Sequence, residues 1–232
     1  MAVKVKPSKA MRGIFAEMLD DYLRVAAKSA DKGIAKGGRE AAQGAAKAAA
    51  KPVKVDFKLT ERMAGHSAEM RRQLQRQLDA IGDVSPKELL DRLNNPAVRD
   101  GVAQREARKA FTDQMTTQQR KQMQALAMRD PAELARQLDT FNLTSTGNPF
   151  KDADALAKAR TDGFMRTVAA LHEPDIVAGG LDRIGRNGNW DSFGASNVNS
   201  SIGSQWKNLK PDLIRQLESL PPNDPIRLTF DF

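Results

Sequence analysis

Two short runs constrain this chain more than any other feature. VKVDFKL, Val53 to Leu59, alternates strictly: Val53, Val55, Phe57 and Leu59 fall on one face, Lys54, Asp56 and Lys58 on the other. IRLTFDF, Ile226 to Phe232, does the same with Ile226, Leu228, Phe230 and Phe232. A period of two with one apolar face marks a half-buried strand. The two runs are predicted to share one small sheet, antiparallel or mixed, and to mark the ends of a single domain over 53–232. The expected fold class is mainly α with that sheet: an α+β domain of helices closed by terminal strands 53–59 and 226–232.

Between the strands the pattern is helical. Ala, Leu, Gln, Arg, Lys and Met dominate, and aromatics make up only 5% of the chain. Thr60 is predicted to open a helix reaching about Ile81, with Met63, Met70, Leu74 and Leu78 inward. Ser85-Pro86-Lys87-Glu88 reads as a capping box with proline at the first helical position, starting a short helix to Leu93. Pro96 is expected to start another through Met115, Thr117 to cap the next, and Asp130-Pro131 to start a short one to Leu138. LTSTGNP reads as a loop, after which Asp152 begins a helix reaching Leu171. Residues 176–204 hold six glycines, four asparagines and five serines, and read as one long polar loop. Such loops are either functional or disordered, and Trp190, Ile202 and Trp206 are anchors that a disordered linker seldom holds.

The net charge of +8 suggests a polyanionic partner. Its distribution weakens that inference. Residues 1–60 carry thirteen Lys/Arg against six Asp/Glu, and the remainder twenty-four against twenty-three. The surplus therefore sits on the N-terminal segment 1–52. There, residues 8–31 read as an amphipathic helix capped by Ser8, followed by an Ala/Gly/Lys-rich stretch to Pro52. That stretch is either a basic linker or a small-residue helix surface with Gly33 and Gly37 as a GxxxG pair. No apolar run is long enough for an ordinary membrane span, and the N-terminus lacks the apolar core of a secretory signal peptide. With no cysteine, disulfides and thiolate metal sites are excluded.

The chemistry concentrates in LHEPDIVAGG, Leu171 to Gly180. His172 is one of only two histidines. It follows a predicted helix, and Pro174 would bend Asp175 back toward it. Spacing alone leaves a structural helix-end histidine as the simpler reading.

LHEPDIVAGG followed by NVNSSIGSQWK, Asn197 to Lys207, resembles the type 15 polymorphic toxins, bacterial nuclease toxins that carry an HxxD motif. Both blocks match nearly residue by residue. EMRRQLQRQLDAI with SPKELLDRL, and REARKAF, match more loosely, and the resemblance spans about 57–232. This chain has Glu173 where many members have Asn, and a longer insertion, LDRIGRNGNWDSFGAS, between the two blocks. The resemblance implies a nuclease acting mainly on DNA and delivery into a rival cell, commonly by a type VI secretion system without a signal peptide. It also implies a cognate immunity protein in the producing cell. The family's His and Asp fall on His172 and Asp175. Segment 1–52, outside the match, would serve docking to a secretion chaperone, adaptor or spike protein, or transient membrane contact.

Phosphodiester hydrolysis needs an activated water, stabilised charge on the phosphoryl oxygens and help for the leaving oxygen. His172 suits the general base. Asp175 suits a ligand of a divalent metal, Mg²⁺ by its preference for carboxylate and water oxygens; alternatively it only orients His172. Asn199, Ser200, Ser201 and Gln205 are neutral groups that would hold phosphate oxygens or complete a metal shell, or merely cap turns. Arg166 and Arg160 would clamp phosphate or lie on a solvated face. Trp206 is a base-stacking platform or, more simply, a buried anchor, and His66 reads as structural. Two other functions stay in view: a non-catalytic basic DNA-binding protein and a membrane-active protein.

Overall fold

In the computed structural model the two alternating runs lie side by side. β1 (Lys51–Asp56) pairs with β5 (Ile226–Asp231) in parallel, with Val53 opposite Leu228 and Val55 opposite Phe230. A third strand was not anticipated. β2 (Asp83–Val84) pairs antiparallel with the other edge of β5, and Arg227 Nε donates to Asp83 Oδ1 at 2.6 Å across that pair. The sheet is mixed, in the order β1-β5-β2. Val53, Val55, Ile226 and Leu228 are buried, as the alternation requires. The structure describes residues 7–41, 50–172, 175–180, 184 and 192–231, and for 27–41 and Arg62 the backbone alone. Trp190, Glu173, Phe232 and most of the insertion lie outside the described residues.

The described residues form seven α-helices: α1 (Lys9–Ala41), α2 (Ser67–Ile81), α3 (Pro86–Asn94), α4 (Val102–Arg129), α5 (Pro131–Thr140), α6 (Pro149–Phe164) and α7 (Ser196–Glu218). The fold is therefore mainly helical α+β, as expected. Contacts divide it into two units, Met1–Tyr22 with Arg108–Val168, and Leu23–Ala107 with Ala169–Phe232.

The first unit is built on aromatic edges. Tyr22 meets Phe111 and Phe164 edge-on, with centroids 5.5 and 5.9 Å apart, and Phe15 meets Phe141 at 5.8 Å. Helix ends follow local chemistry. Ser8 Oγ accepts from Met11 N, and Asp130 Oδ1 from Glu133 N. Asn148, rather than Asp152, caps α6. Asp152 instead turns back onto the preceding loop, where the Ser145 hydroxyl and the Thr146 amide and hydroxyl all donate to it.

In the second unit, α2 and α7 pack against the sheet and each other, and α3 packs on α7. Trp206 is fully buried here, with its Nε1 donating to Gln77 Oε1 at 2.7 Å and its ring edge-on to Phe57. The anchor reading of Trp206 is the one its surroundings fit.

Further expectations change, beginning with the helix predicted from Thr60, which is a 3-10 turn over Glu61–His66 before α2 starts at Ser67. α4 is one continuous helix, not two. Thr117 does not cap it, because its hydroxyl bonds the carbonyl of Asp113 one turn earlier. The helix predicted from Pro96 starts only at Val102, with Asp100 Oδ1 accepting from Val102 N. α6 ends at Phe164, and a short strand, β3 (Val168–Ala170), separates it from His172. The polar loop is shorter than expected: β4 (Phe193–Ala195) pairs with β3, and α7 begins at Ser196.

Candidate active site

His172 sits where the chain leaves β3, not at a helix end. Leu171 N donates to Ser192 O at 2.9 Å, and His172 forms an isolated antiparallel bridge with Ile184. The imidazole is almost wholly buried, at 6% exposure. Its Nδ1 lies 3.4 Å from a guanidinium nitrogen of Arg99. Arg99 belongs to the connection between α3 and α4 and is exposed.

Asp175 opens a single 3-10 turn over Ile176–Ala178. Its Oδ1 accepts from Val177 N at 3.0 Å, and its carbonyl accepts from Ala178 N and Gly180 N. The turn closes on Gly179, held at φ +84, a region that costs glycine nothing. A Cβ on Gly179 would stand 3.0 Å from Arg92 Cβ and 3.7 Å from Leu89 Cδ1, both on α3. The first glycine after the motif thus permits both the turn and its seat against α3.

On its other side the turn meets α7. Asp175 Oδ2 faces Gly203, where an added Cβ would lie 3.5 Å away. Among the described residues no N–H or O–H donor reaches Oδ2, although Asp175 is only 9% exposed.

The two blocks singled out in the sequence therefore meet, at Asp175 and Gly203. The helix sorts the other candidates by turn geometry. Asn199 and Ser200, four and three residues before Gly203, share the side of α7 that meets the motif. Ser201 and Gln205 project from the opposite side. Gln205 is engaged there: its Oε1 accepts from Lys58 N at 2.7 Å and its Nε2 donates to Lys58 O, just beyond β1. Arg166 belongs to the first unit and is exposed. Arg160, in the same unit, donates to Gln119 and Gln137, and burial lowers its pKa against the opposing pull of Glu17. His66 stands at the start of α2, its Nε2 3.3 Å from Asn197 Nδ2.

A buried polar network places α7. Glu69 Oε1 accepts from Ala195 N and from Gln73 Nε2. Arg72 donates to both Glu69 oxygens and to Phe193 O. These bonds grip β4 and the first residue before α7, and so set the register at which Gly203 arrives beside Asp175. Lys210 Nζ on α7 bonds Leu93 O at the end of α3 at 2.6 Å, tying together the two helices that flank the turn.

The donor set suits some divalent cations and not others. No group of three His, Cys, Asp or Glu side chains gathers among the described residues, which does not suit zinc. Mg²⁺ is commonly held by one or two carboxylates, with water and substrate phosphates completing its shell. Oδ2 of Asp175, without a donor among the described residues and beside a residue with no side chain, fits that pattern.

Arg99 is the residue that reading by sequence missed. Taking Pro96 as a helix start placed it inside a helix. The Asp100-Gly101 pair, a turn dipeptide, was the available signal that the chain is still a connection there; Gly101 indeed has φ +72.

The family described as Novel toxin 15 matches residues 64–225, from within the 3-10 turn before α2 to the residue before β5. No curated protein matches the chain.

Proposed function

The chain belongs to the Novel toxin 15 family, and from that premise we propose that it is a nuclease toxin that hydrolyses phosphodiester bonds of DNA with His172 and Asp175. The observation that carries the proposal is the meeting of the two distant blocks, with Asp175 Oδ2 turned toward Gly203 of α7. Oδ2 accepts no hydrogen bond among the described residues, which leaves it available to a cation.

His172 takes a proton from the attacking water. The water oxygen bonds phosphorus as the bond to the leaving sugar oxygen breaks, and solvent returns a proton to that oxygen. Asp175 Oδ2 would hold Mg²⁺, whose contribution when bound is to neutralise charge on the phosphoryl oxygens. Asn199 and Ser200, on the motif side of α7, serve as donors to phosphate oxygens. Residues 1–52 are assigned to delivery, through a type VI secretion system, a chaperone, adaptor or spike protein, or transient membrane contact. The toxin is made in a bacterial cytoplasm alongside a cognate immunity protein and acts in the target cell. No helix among the described residues is long and apolar enough to cross a membrane.

The test uses the full chain, plasmid DNA, and either Mg²⁺ or EDTA. Wild type is expected to cut in Mg²⁺ alone. His172→Ala and Asp175→Ala are expected to lose at least roughly 10²-fold in rate with unchanged circular dichroism. Intact plasmid after incubation with wild type in Mg²⁺, or cleavage by His172→Ala at the wild-type rate, would sink the proposal.

A further inference from the structure

Arg99 differs in its pairing from the other arginines of the second unit described above. Arg72, Arg92 and Arg227 each face a carboxylate, on Glu69, Glu88 and Asp83. Among the described residues Arg99 has none. Its one hydrogen-bond neighbour is Nδ1 of His172 at 3.4 Å. An exposed guanidinium without an anion of its own, beside a buried imidazole, is a ready receptor for a phosphate, which it can meet through two parallel N–H bonds.

Read as a hydrogen bond, the contact assigns the acceptor role to Nδ1. A guanidinium has donors and no acceptor. Nδ1 can therefore face it only with its lone pair, leaving the hydrogen on Nε2. Nδ1 is then the basic nitrogen, and in the DNA-free protein the arginine lies over it. At 3.4 Å the bond is at the long, weak end of its range, so a phosphate, with full negative charge, readily outcompetes it.

We propose that Arg99 binds the scissile phosphate of the DNA and, in doing so, withdraws from Nδ1 of His172, freeing that lone pair for the attacking water only when substrate is in place. The inference rests on the nuclease reading of the same site and adds to it the phosphate-binding residue and the reason the base is covered at rest. The proton inventory is unchanged: the water's proton goes to Nδ1, and the guanidinium stays charged throughout.

The experiment uses the full chain and a short fluorescent DNA duplex. Binding is measured by anisotropy in the His172→Ala background, across a range of salt concentrations, with Arg99 intact, Arg99→Gln or Arg99→Lys. Each phosphate contact contributes about one to the slope of log affinity against log salt. Arg99→Gln should lower that slope by about one, and Arg99→Lys should retain it. With His172 present, Arg99→Gln should reduce kcat/KM roughly tenfold or more, while Arg99→Lys recovers part of the loss. An unchanged slope and rate in Arg99→Gln, with wild type still cutting DNA, overturns the role of Arg99 and leaves the nuclease reading standing. A wild type that neither binds nor cuts DNA overturns both. Nitrogen-15 shifts of His172 in the DNA-free protein give a separate readout: a lone pair on Nδ1 is expected, and a hydrogen there refutes the covering of the base.

Discussion

Replacing Gly179 by alanine should destabilise the protein, and for two reasons that can be separated. At φ +84 an L-residue pays about 1–2 kcal/mol for the left-handed backbone. The new methyl would also stand 3.0 Å from Arg92 Cβ, an atom fixed to the α3 backbone and unable to swing away. Overpacking of this kind costs typically about 1–3 kcal/mol. Together they predict a loss of roughly 2–5 kcal/mol and a fall in Tm of roughly 4–20 °C, measured by calorimetry on the full chain. Asparagine tolerates the left-handed region better than alanine but is larger. If backbone strain dominates, Gly179→Asn costs less than Gly179→Ala; if the contact with α3 dominates, it costs as much or more. Gly203→Ala is the control of opposite sign. In mid-helix, alanine gains roughly 1 kcal/mol over glycine, and its Cβ would make only ordinary contact at 3.5 Å with Asp175 Oδ2. Gly203→Ala should melt no lower than wild type yet cut DNA more slowly, its methyl occupying the space beside Oδ2. A Gly179→Ala protein that melts within a degree of wild type would refute the account of how the motif turn is seated.

Three further outcomes follow from the same reasoning. Trp206→Phe removes the donor to Gln77 Oε1, both groups being buried, and should cost about 1–3 kcal/mol in urea unfolding; a smaller loss would mean that Gln77 finds another partner. Gln205→Ala should speed hydrogen exchange at the Lys58 amide, which Gln205 Oε1 now accepts at 2.7 Å; unchanged exchange would argue against a clamp on the end of β1. The hydrogen bond from Ser145, then that from the Thr146 amide, hold the Asp152 carboxyl below its usual pKa. A depressed folded value means that its stabilising contribution is complete above about pH 4 and is lost as pH falls through that depressed value. The stability gap between wild type and Asp152→Ala should therefore be constant near neutrality and narrow in acid. A gap that widens in acid would contradict the sign.

The strands were legible because alternation of period two is a direct imprint of one buried face, and Val53, Val55, Ile226 and Leu228 kept to it. The caps at Ser8, Ser85 and Asp130 were legible because a side-chain oxygen and an amide three residues on suffice to make them. β2 was not, because two residues carry no period, and Asp83–Val84 becomes a strand only because β5 offers an unpaired edge. The start of α7 was hidden by composition. Asn197, Asn199, Ser200, Ser201 and Gly203 are poor helix formers, and the helix there is held from outside, by Glu69 and Gln73 gripping Ala195. Within the site, His172, Asp175 and the block carrying Gly203 could be named from their motifs. Their arrangement could not, since Arg99 reaches His172 from 73 positions away, a distance that no local pattern encodes.

Lys51 aligns with Ile226 across the parallel pair, 175 positions apart. Closing so long a segment delays the sheet relative to contacts made locally. During synthesis β1 is made before β5 and lacks that neighbouring strand until residue 226 has been translated. His172, Asp175 and Gly203 are all made before that point, whereas the strand that completes the sheet beneath α2 and α7 comes after them. Assembly order thus separates the making of the chemical groups from the finishing of the body that holds them, and a ribosome that stalls within α7 leaves Val53 and Val55 without the strand that covers them.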